Sequence, residues 1–406
     1  MHLSSLISYY RKRHLLSLKE TAERFNMSEK TLTHLEKGEK ASKSSHQKAF
    51  DAMGVNRLSP QEEAQIEAWL RQFFHAILYV NYDEAKALYV RLSEWNLEMS
   101  KFTTTWWVYQ YMYAIHTQTS ELDIESIDHE CQLLTPWMTP HEKELYTMEK
   151  AGYYFLKGEL SQSIDVGIKS VESSGDDHLR AINLFLLGAS GINEVGKIET
   201  SMRYLEEAEQ LFLTFANYKR AIRCQAFEFI GRVHGHRYGE VLTYYETLKA
   251  HPIQDDNQPQ LEAFIDGTLA RYYLLSLEPK EALKVLDGIP FKSSTNYFLK
   301  LVALYETSQW DLLKEHLKDV HTWDEPINNR VHLELIACLN AWLTHNDSKQ
   351  LSRQLEAVFS SALLSQDYIS IMLISPMAIR ALKNAKQYKK AYHLAQESLK
   401  ILRANT

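Results

Sequence analysis

The sequence predicts an all-α protein, a small helical head followed by a long array of stacked helix pairs. Three observations lead there. Nine prolines and fourteen glycines in 406 residues leave room for long uninterrupted helices. Helix-start signals recur with a period of roughly 38–40 residues over most of the chain. The charge is also divided: residues 1–57 hold eleven Lys and Arg against six Asp and Glu, a net of +5, while the remainder holds 34 against 46, a net of −12. A basic head on an acidic body fits a polyanion-binding domain whose body has a different task.

In the head, Leu3, Leu6, Ile7 and Tyr10 share one apolar face and predict a helix ending near His14. Ser17-Leu18-Lys19-Glu20 is a capping box that opens a second helix, with Ala22 and Phe25 turned inward. Asn26-Met27 interrupts it, Ser28 caps a third helix over 29–37, and Gly38 stops that one. Two short helices across a tight turn are the geometry that sets a recognition helix in the DNA major groove.

Leu18-x-x-x-Ala22, Met27-Ser28, Leu32, Leu35-Glu36-x-Gly38 and Ala52-x-Gly54-Val55 resemble the phage-repressor type of helix-turn-helix. Asn26 stands where that family often has glycine, and asparagine also tolerates left-handed backbone. In this alignment Leu32 and Leu35 face inward, and Glu29, Lys30, Thr33 and His34 meet base edges. Ser17, Lys19, Ser28, Lys37, Lys40 and Lys43 are suited to phosphate contacts. The competing reading of these charges is a solvated helix face. One such domain covers a half-site, so a homodimer on a roughly palindromic double-stranded operator is expected.

After a short break at 56–60, residues 61–406 repeat one event: a long amphipathic helix, a break, then a helix opening on an aromatic or apolar residue with a small residue three later. Tyr82…Ala85, Leu160…Ser163, Ile198…Ser201, Pro279…Ala282 and Tyr388…Ala391 are the clear cases, with weaker starts near Leu122, Tyr238, Trp310 and Ser348. About nine degenerate pairs result, resembling a tetratricopeptide array wound into a right-handed superhelix.

The inner surface of such a superhelix suits an extended peptide, whose backbone must find partners once it leaves water. Asn183, a polar residue inside the apolar run 182–186 of a first helix, is the leading candidate. Arg180, Arg220, Arg223, Arg232, Asn296 and Asn340 are expected to join it as a group. The final pairs are expected to form the dimer through Ile371, Leu373, Ile374 and the helix from Tyr388 to Leu402, with a polar terminal cap as the alternative.

A helix-turn-helix ahead of a degenerate array of this length resembles the RRNPP group of peptide-pheromone receptors. Length and arrangement are most similar to the arbitrium receptors of phages (the AimR type), with the NprR type next. The resemblance implies a short signalling peptide that binds the concave face and changes operator affinity, in arbitrium systems shifting a phage towards lysogeny. A scaffold or inhibitor acting through protein–protein contacts is the alternative.

No catalytic or cofactor motif stands out. His141-Glu142 lacks a second histidine at zincin spacing and reads as a solvated helix start, and His234-Gly235-His236 reads as a helix end with solvent-facing histidines. The aromatic stripe Trp106, Trp107, Tyr109, Tyr111 and Tyr113 is expected to pack a core. Cys131, Cys224 and Cys338 read as reduced core residues. Arg11-Lys12-Arg13 falls where a signal peptide would stay apolar, and no run approaches a membrane span, so a soluble cytoplasmic protein is expected.

Overall fold

A computed structural model describes residues 1–119, 121–235, 237–250, 258–290, 293–318, 329–345 and 347–405. Among them every extended element is helical, and none is long and apolar enough to cross a membrane. The chain divides into two compact units, Met1–Gly152 and Tyr153–Thr406.

The first unit opens with α1 (Leu3–Arg13), α2 (Leu18–Arg24), α3 (Glu29–Glu36) and α4 (Lys43–Met53). Their boundaries follow local chemistry. Ser17 and Glu20 form the expected capping box, and Ser28 Oγ accepts from the Thr31 N–H. Asn26 takes φ +51 in the turn between α2 and α3, and Gly38 takes φ +69 just past α3. The apolar face of α1 is rotated from its expected position: Leu6, Ile7 and Tyr9 are buried and Tyr10 is only half-buried. The cause lies outside the head, because the Tyr9 hydroxyl donates to Glu130 Oε2 at 2.6 Å.

Glu130 belongs to α8 (Ile124–Leu134), which pairs with α7 (Thr103–Thr117) after the pair α5 (Pro60–Leu78) and α6 (Tyr82–Ser93). Arg13 reaches Glu130 at 2.8 Å and Glu98 at 2.9 Å. The Asn56 N–H donates to the Met99 carbonyl at 2.9 Å, and Lys12 lies 4.9 Å from the Trp137 ring centre. The head is therefore held against the first two pairs within one unit, across the break expected at 56–60. The aromatic stripe of α7 is core as expected, with the Tyr89 ring stacked between Trp106 at 5.6 Å and Tyr113 at 5.1 Å. Glu142, expected in solvent at the start of α9 (Pro140–Leu156), is buried instead, because it accepts from the hydroxyls of Thr104 and Thr105.

In the second unit α10 (Leu160–Ser173) precedes six pairs: α11 (Asp177–Gly191) with α12 (Ile198–Thr214), α13 (Tyr218–His234) with α14 (Tyr238–Ala250), α15 (Gln258–Leu275) with α16 (Pro279–Asp287), α17 (Ser294–Glu306) with α18 (Trp310–Lys318), α19 (Arg330–His345) with α20 (Ser348–Ser365), and α21 (Tyr368–Asn384) with α22 (Tyr388–Asn405). Every repeat signal except the one near Leu122 opens a helix at the residue expected. That helix starts at Ile124, because Asp123 caps it.

The small residue of the signal is what lets a pair close. Ala85, Ser163, Ser201, Ala282 and Ala391 are all buried. Ser163 Oγ lies 2.7 Å from Ser190 Oγ of α11, and a Cβ on Gly188 would meet Leu205 Cγ at 2.5 Å. Backbones this close exclude larger side chains on both sides of the contact.

First helices pack on first helices: α13 on α15, α15 on α17, and α21 back onto both α15 and α17. The turn after α11 meets the turn before α21, where the Tyr368 N–H donates to the Asn193 carbonyl at 3.0 Å and the Val195 N–H to the Gln366 carbonyl at 3.3 Å. The layer of first helices in this unit therefore curls on itself and forms its inner face. Ile371, Leu373 and Ile374, expected at a dimer surface, are buried in this core and cannot supply one. The exposed apolar residues of the last pair are Tyr388, Tyr392 and Leu399, all on α22. The three cysteines are free and buried.

Candidate functional site

On the head, Leu32 and Leu35 are buried, so α3 turns Glu29, Lys30, Thr33 and Lys37 outward. Ser17, Lys19, Ser28, Lys40 and Lys43 are also exposed. The hydroxyls of Ser17 and Ser28 are already used as caps, and Thr33 Oγ1 donates to the Glu29 carbonyl at 2.8 Å. His34 is half-exposed and its Nδ1 lies 2.5 Å from Glu39 Oε2. Lys48, which sequence reasoning missed, pins the turn from below by donating to the Asn26 carbonyl at 2.8 Å. Exposed cations thus surround the outer face of α3.

On the inner face of the second unit, three half-buried rings form a row across successive first helices. Phe227 of α13 lies 5.4 Å from Phe185 of α11 and 4.9 Å from Phe264 of α15. Arg220 and Arg223 lie one to two turns from Phe227 on α13 and share its face. Arg223 is half-buried beside the row, whereas Arg220 is buried with its guanidinium 5.9 Å from the ring centre of Phe212 on α12, which ties it to the second-helix layer. Seven residues on from Phe227, His234 closes the row, and Arg271 stands seven residues on from Phe264.

The other expected ligand-binding residues are dispersed. Arg180 pairs with Glu207 of α12 at 2.7 Å, and Arg232 pairs with Glu240 of α14 at 3.0 Å, which ties both to the second-helix layer. Asn296 Nδ2 donates to the Ala263 carbonyl at 3.1 Å and fills the space above Gly267, a bridge between α15 and α17. Asn340 is exposed on α19. Asn183 is fully buried, and neither atom of its amide has a hydrogen-bond partner among the described residues. It shares a face with Ser190, which touches α10, so it points to the α10 side of α11 rather than into the ring row.

Sequence reasoning missed a buried polar group at the end of that row. His234, expected to face solvent, is wholly buried: its Nδ1 lies 3.0 Å from the Ile192 carbonyl and its ring 5.1 Å from Tyr368. Arg271 Nη1 lies 3.2 Å from His234 Nε2, and burial pulls its pKa down to about 10. His332 stacks 3.9 Å from Phe298, and burial lowers its pKa to about 4. On the outer side of α13, burial and the neighbouring Glu209 push Glu228 up to about 7. His236 lies outside the described residues. Among those described, no cluster of three metal-ligating side chains occurs.

No protein-family model matches the chain, and no curated sequence matches it. Solved structures do. A Rap protein in complex with competence and sporulation factor superposes with a TM-score of 0.68 at 13% identity, covering 84% of this chain and 99% of that one. The quorum sensor NprR in complex with its cognate peptide NprX gives 0.63 at 11% identity, covering 83% and 99%. The apo form of NprR from B. thuringiensis gives 0.57 at 12% identity, covering 84% and 99%. This chain is thus built on the helical-repeat fold of Rap and NprR, the fold that the RRNPP resemblance implies.

Proposed function

We propose that the protein is a peptide-responsive, DNA-binding regulator whose array receives a short signalling peptide and whose head reads an operator. The row Phe185–Phe227–Phe264 with the half-buried Arg223 beside it carries this reading. It offers apolar and cationic groups on the inner face of a fold that NprR shares, and NprR was solved with a peptide bound. The exposed cations around α3 support the DNA-reading half, with Glu29, Lys30, Thr33 and His34 at base edges and the surrounding lysines and serines at phosphates. In this reading the protein acts as a homodimer through α22, and peptide binding changes its hold on the operator, as arbitrium receptors do in the choice between lysis and lysogeny.

The test is a library of short peptides screened by thermal shift, followed by gel retention on genomic fragments. A peptide that stabilises the wild type, fails to stabilise R223A/F227A, and changes DNA retention supports the proposal. If no peptide stabilises the protein while a host protein co-purifies through the array, a Rap-like protein-binding role replaces it. Tyr392→Glu on α22 is expected to convert the dimer to a monomer in light scattering, and an unchanged mass places the interface elsewhere.

A further inference from the structure

Arg271 is a buried cation that forms no ion pair with any described residue. Only 5% of the residue is exposed, and no carboxylate among the described residues comes within ion-pair distance. Its one hydrogen bond runs to a neutral acceptor. His234 Nδ1 faces the Ile192 carbonyl and must carry the proton there, which leaves Nε2 as the acceptor for Arg271 Nη1. Among the described residues Arg271 Nε has no partner, nor does His332 Nδ1, and both groups are buried. The acid with the strongest electrostatic influence, Asp367, is engaged elsewhere: it accepts from the N–H and hydroxyl of Ser370 and from Asn329 Nδ2. A buried charge without a counter-ion is among the costliest arrangements a fold can keep.

We propose that Arg271, with His234 beside it, is the receptor for a carboxylate carried by the ligand of the array. Position supports this, because Arg271 stands two turns along α15 from Phe264 on the same face, as His234 does from Phe227 on α13, so about three extended residues would carry a chain from the ring row to the guanidinium. A carboxylate there would accept from Nε and the free edge of the fork, the bidentate geometry that suits arginine. The seam made by Asn193–Val195 and Gln366–Tyr368 closes over this spot with two backbone hydrogen bonds and the Tyr368 hydroxyl bond to the His234 carbonyl. Carboxylate binding is therefore coupled to parting that seam. The assignment of the carboxylate to a peptide rests on the peptide-receptor reading above; the site itself does not.

The test uses the full-length protein with N-acetylalanine and its uncharged counterpart N-acetylalaninamide, each up to about 100 mM at matched ionic strength. The carboxylate is expected to raise the melting temperature by about 2–4 °C and the amide to leave it unchanged. R271M is expected to lose this response while melting at or above the wild type, because it removes an unbalanced charge and keeps the bulk. D367N is expected to strengthen the response by removing the carboxylate that acts most strongly on Arg271, and a weaker response would count against the proposal. Equal effects of acid and amide, no effect of either, or an R271M protein that melts well below wild type or does not fold overturn the proposal. In the last case Arg271 is a structural member of the seam. These outcomes are independent of whether any peptide alters DNA retention, so the site and the regulator reading fail separately.

Discussion

Two glycines of α11 test whether close backbone approach is what joins a helix pair. A Cβ on Gly188 would meet Leu205 Cγ at 2.5 Å and the Ser201 carbonyl oxygen at 3.0 Å, atoms that cannot step aside without moving α12. Alanine favours a helix over glycine by about 1 kcal/mol, and overpacking of this kind costs about 1–3 kcal/mol. With backbone among the obstacles the upper end applies, so G188A is expected to lose about 2 kcal/mol, a fall of about 4–8 °C in the melting of this unit. At Gly191 the obstacle is a single atom, Ser201 Oγ, and the next neighbours stand at 3.5 and 3.6 Å. G191A is therefore expected to be mildly destabilising, and G191A/S201A to melt above wild type by about 2–4 °C, the helix-propensity gain with the clash removed. S201A cannot rescue G188A, since Leu205 and the backbone remain. Calorimetry on the four variants reads this directly. Rescue of G188A by S201A, or failure of S201A to rescue G191A, refutes the interlock.

Three further outcomes follow from named groups. K30A/H34A is expected to abolish preference for the operator while leaving weak, salt-sensitive retention, and an unchanged preference removes α3 as the reading helix. His332 is held neutral by burial at about 4 against 6.5, so the unfolded chain takes up its proton first and stability falls as pH drops from 6.5 towards 4. Glu228 is raised from 4.5 to about 7, so its contribution is complete below 4.5 and is lost as pH rises through 7. The two slopes oppose each other. H332F is expected to leave only the loss on raising pH, and E228Q only the loss on lowering it; thermal melts from pH 4 to 8 that do not separate in this way contradict both assignments. Finally, R13A is expected to leave operator binding intact but to weaken the effect of the peptide on it, measured as the ratio of retention with and without ligand.

The parts legible in the sequence are those encoded within a few residues. The capping box at Ser17, the left-handed Asn26 and the stop at Gly38 are local bargains between side chain and backbone, and they were readable without knowing the fold. The repeat starts were legible for a related reason: each pair needs a small residue three positions into its second helix, so Ser163, Ser201 and Ala282 mark the contact wherever the pair sits. What could not be read depends on residues far apart in the chain. Tyr9 turns inward to reach Glu130 on α8, and His234 is covered by Tyr368 from more than a hundred residues away. Helical periodicity gives a face but not what covers it, so Asn183 was assigned to the inner face when Ser163 places that side of α11 against α10.

In the proposed regulator the same distant contacts would let the head answer to the array. α8 carries Asp128 and Glu130, two residues apart and hence on opposite sides of the helix. Asp128 accepts from Tyr146 at 2.7 Å and from Lys150 at 2.6 Å, both on α9. Glu130 holds Tyr9 and Arg13 of α1. Both sets of bonds are shielded, with the Arg13 side chain 26% exposed and those of Glu130, Lys150 and Asp128 less. A 100-fold change in operator affinity needs about 2.7 kcal/mol of coupling, and a charge-assisted hydrogen bond in such surroundings contributes about 1.5–3 kcal/mol. One rotation of α8 that exchanged a Glu130 bond for water would meet that requirement. A single helix held from both sides is thus enough to link α9 to the head, and R13A is the substitution that weakens the head side, leaving only the Tyr9 bond to Glu130, while the outer face of α3 is untouched.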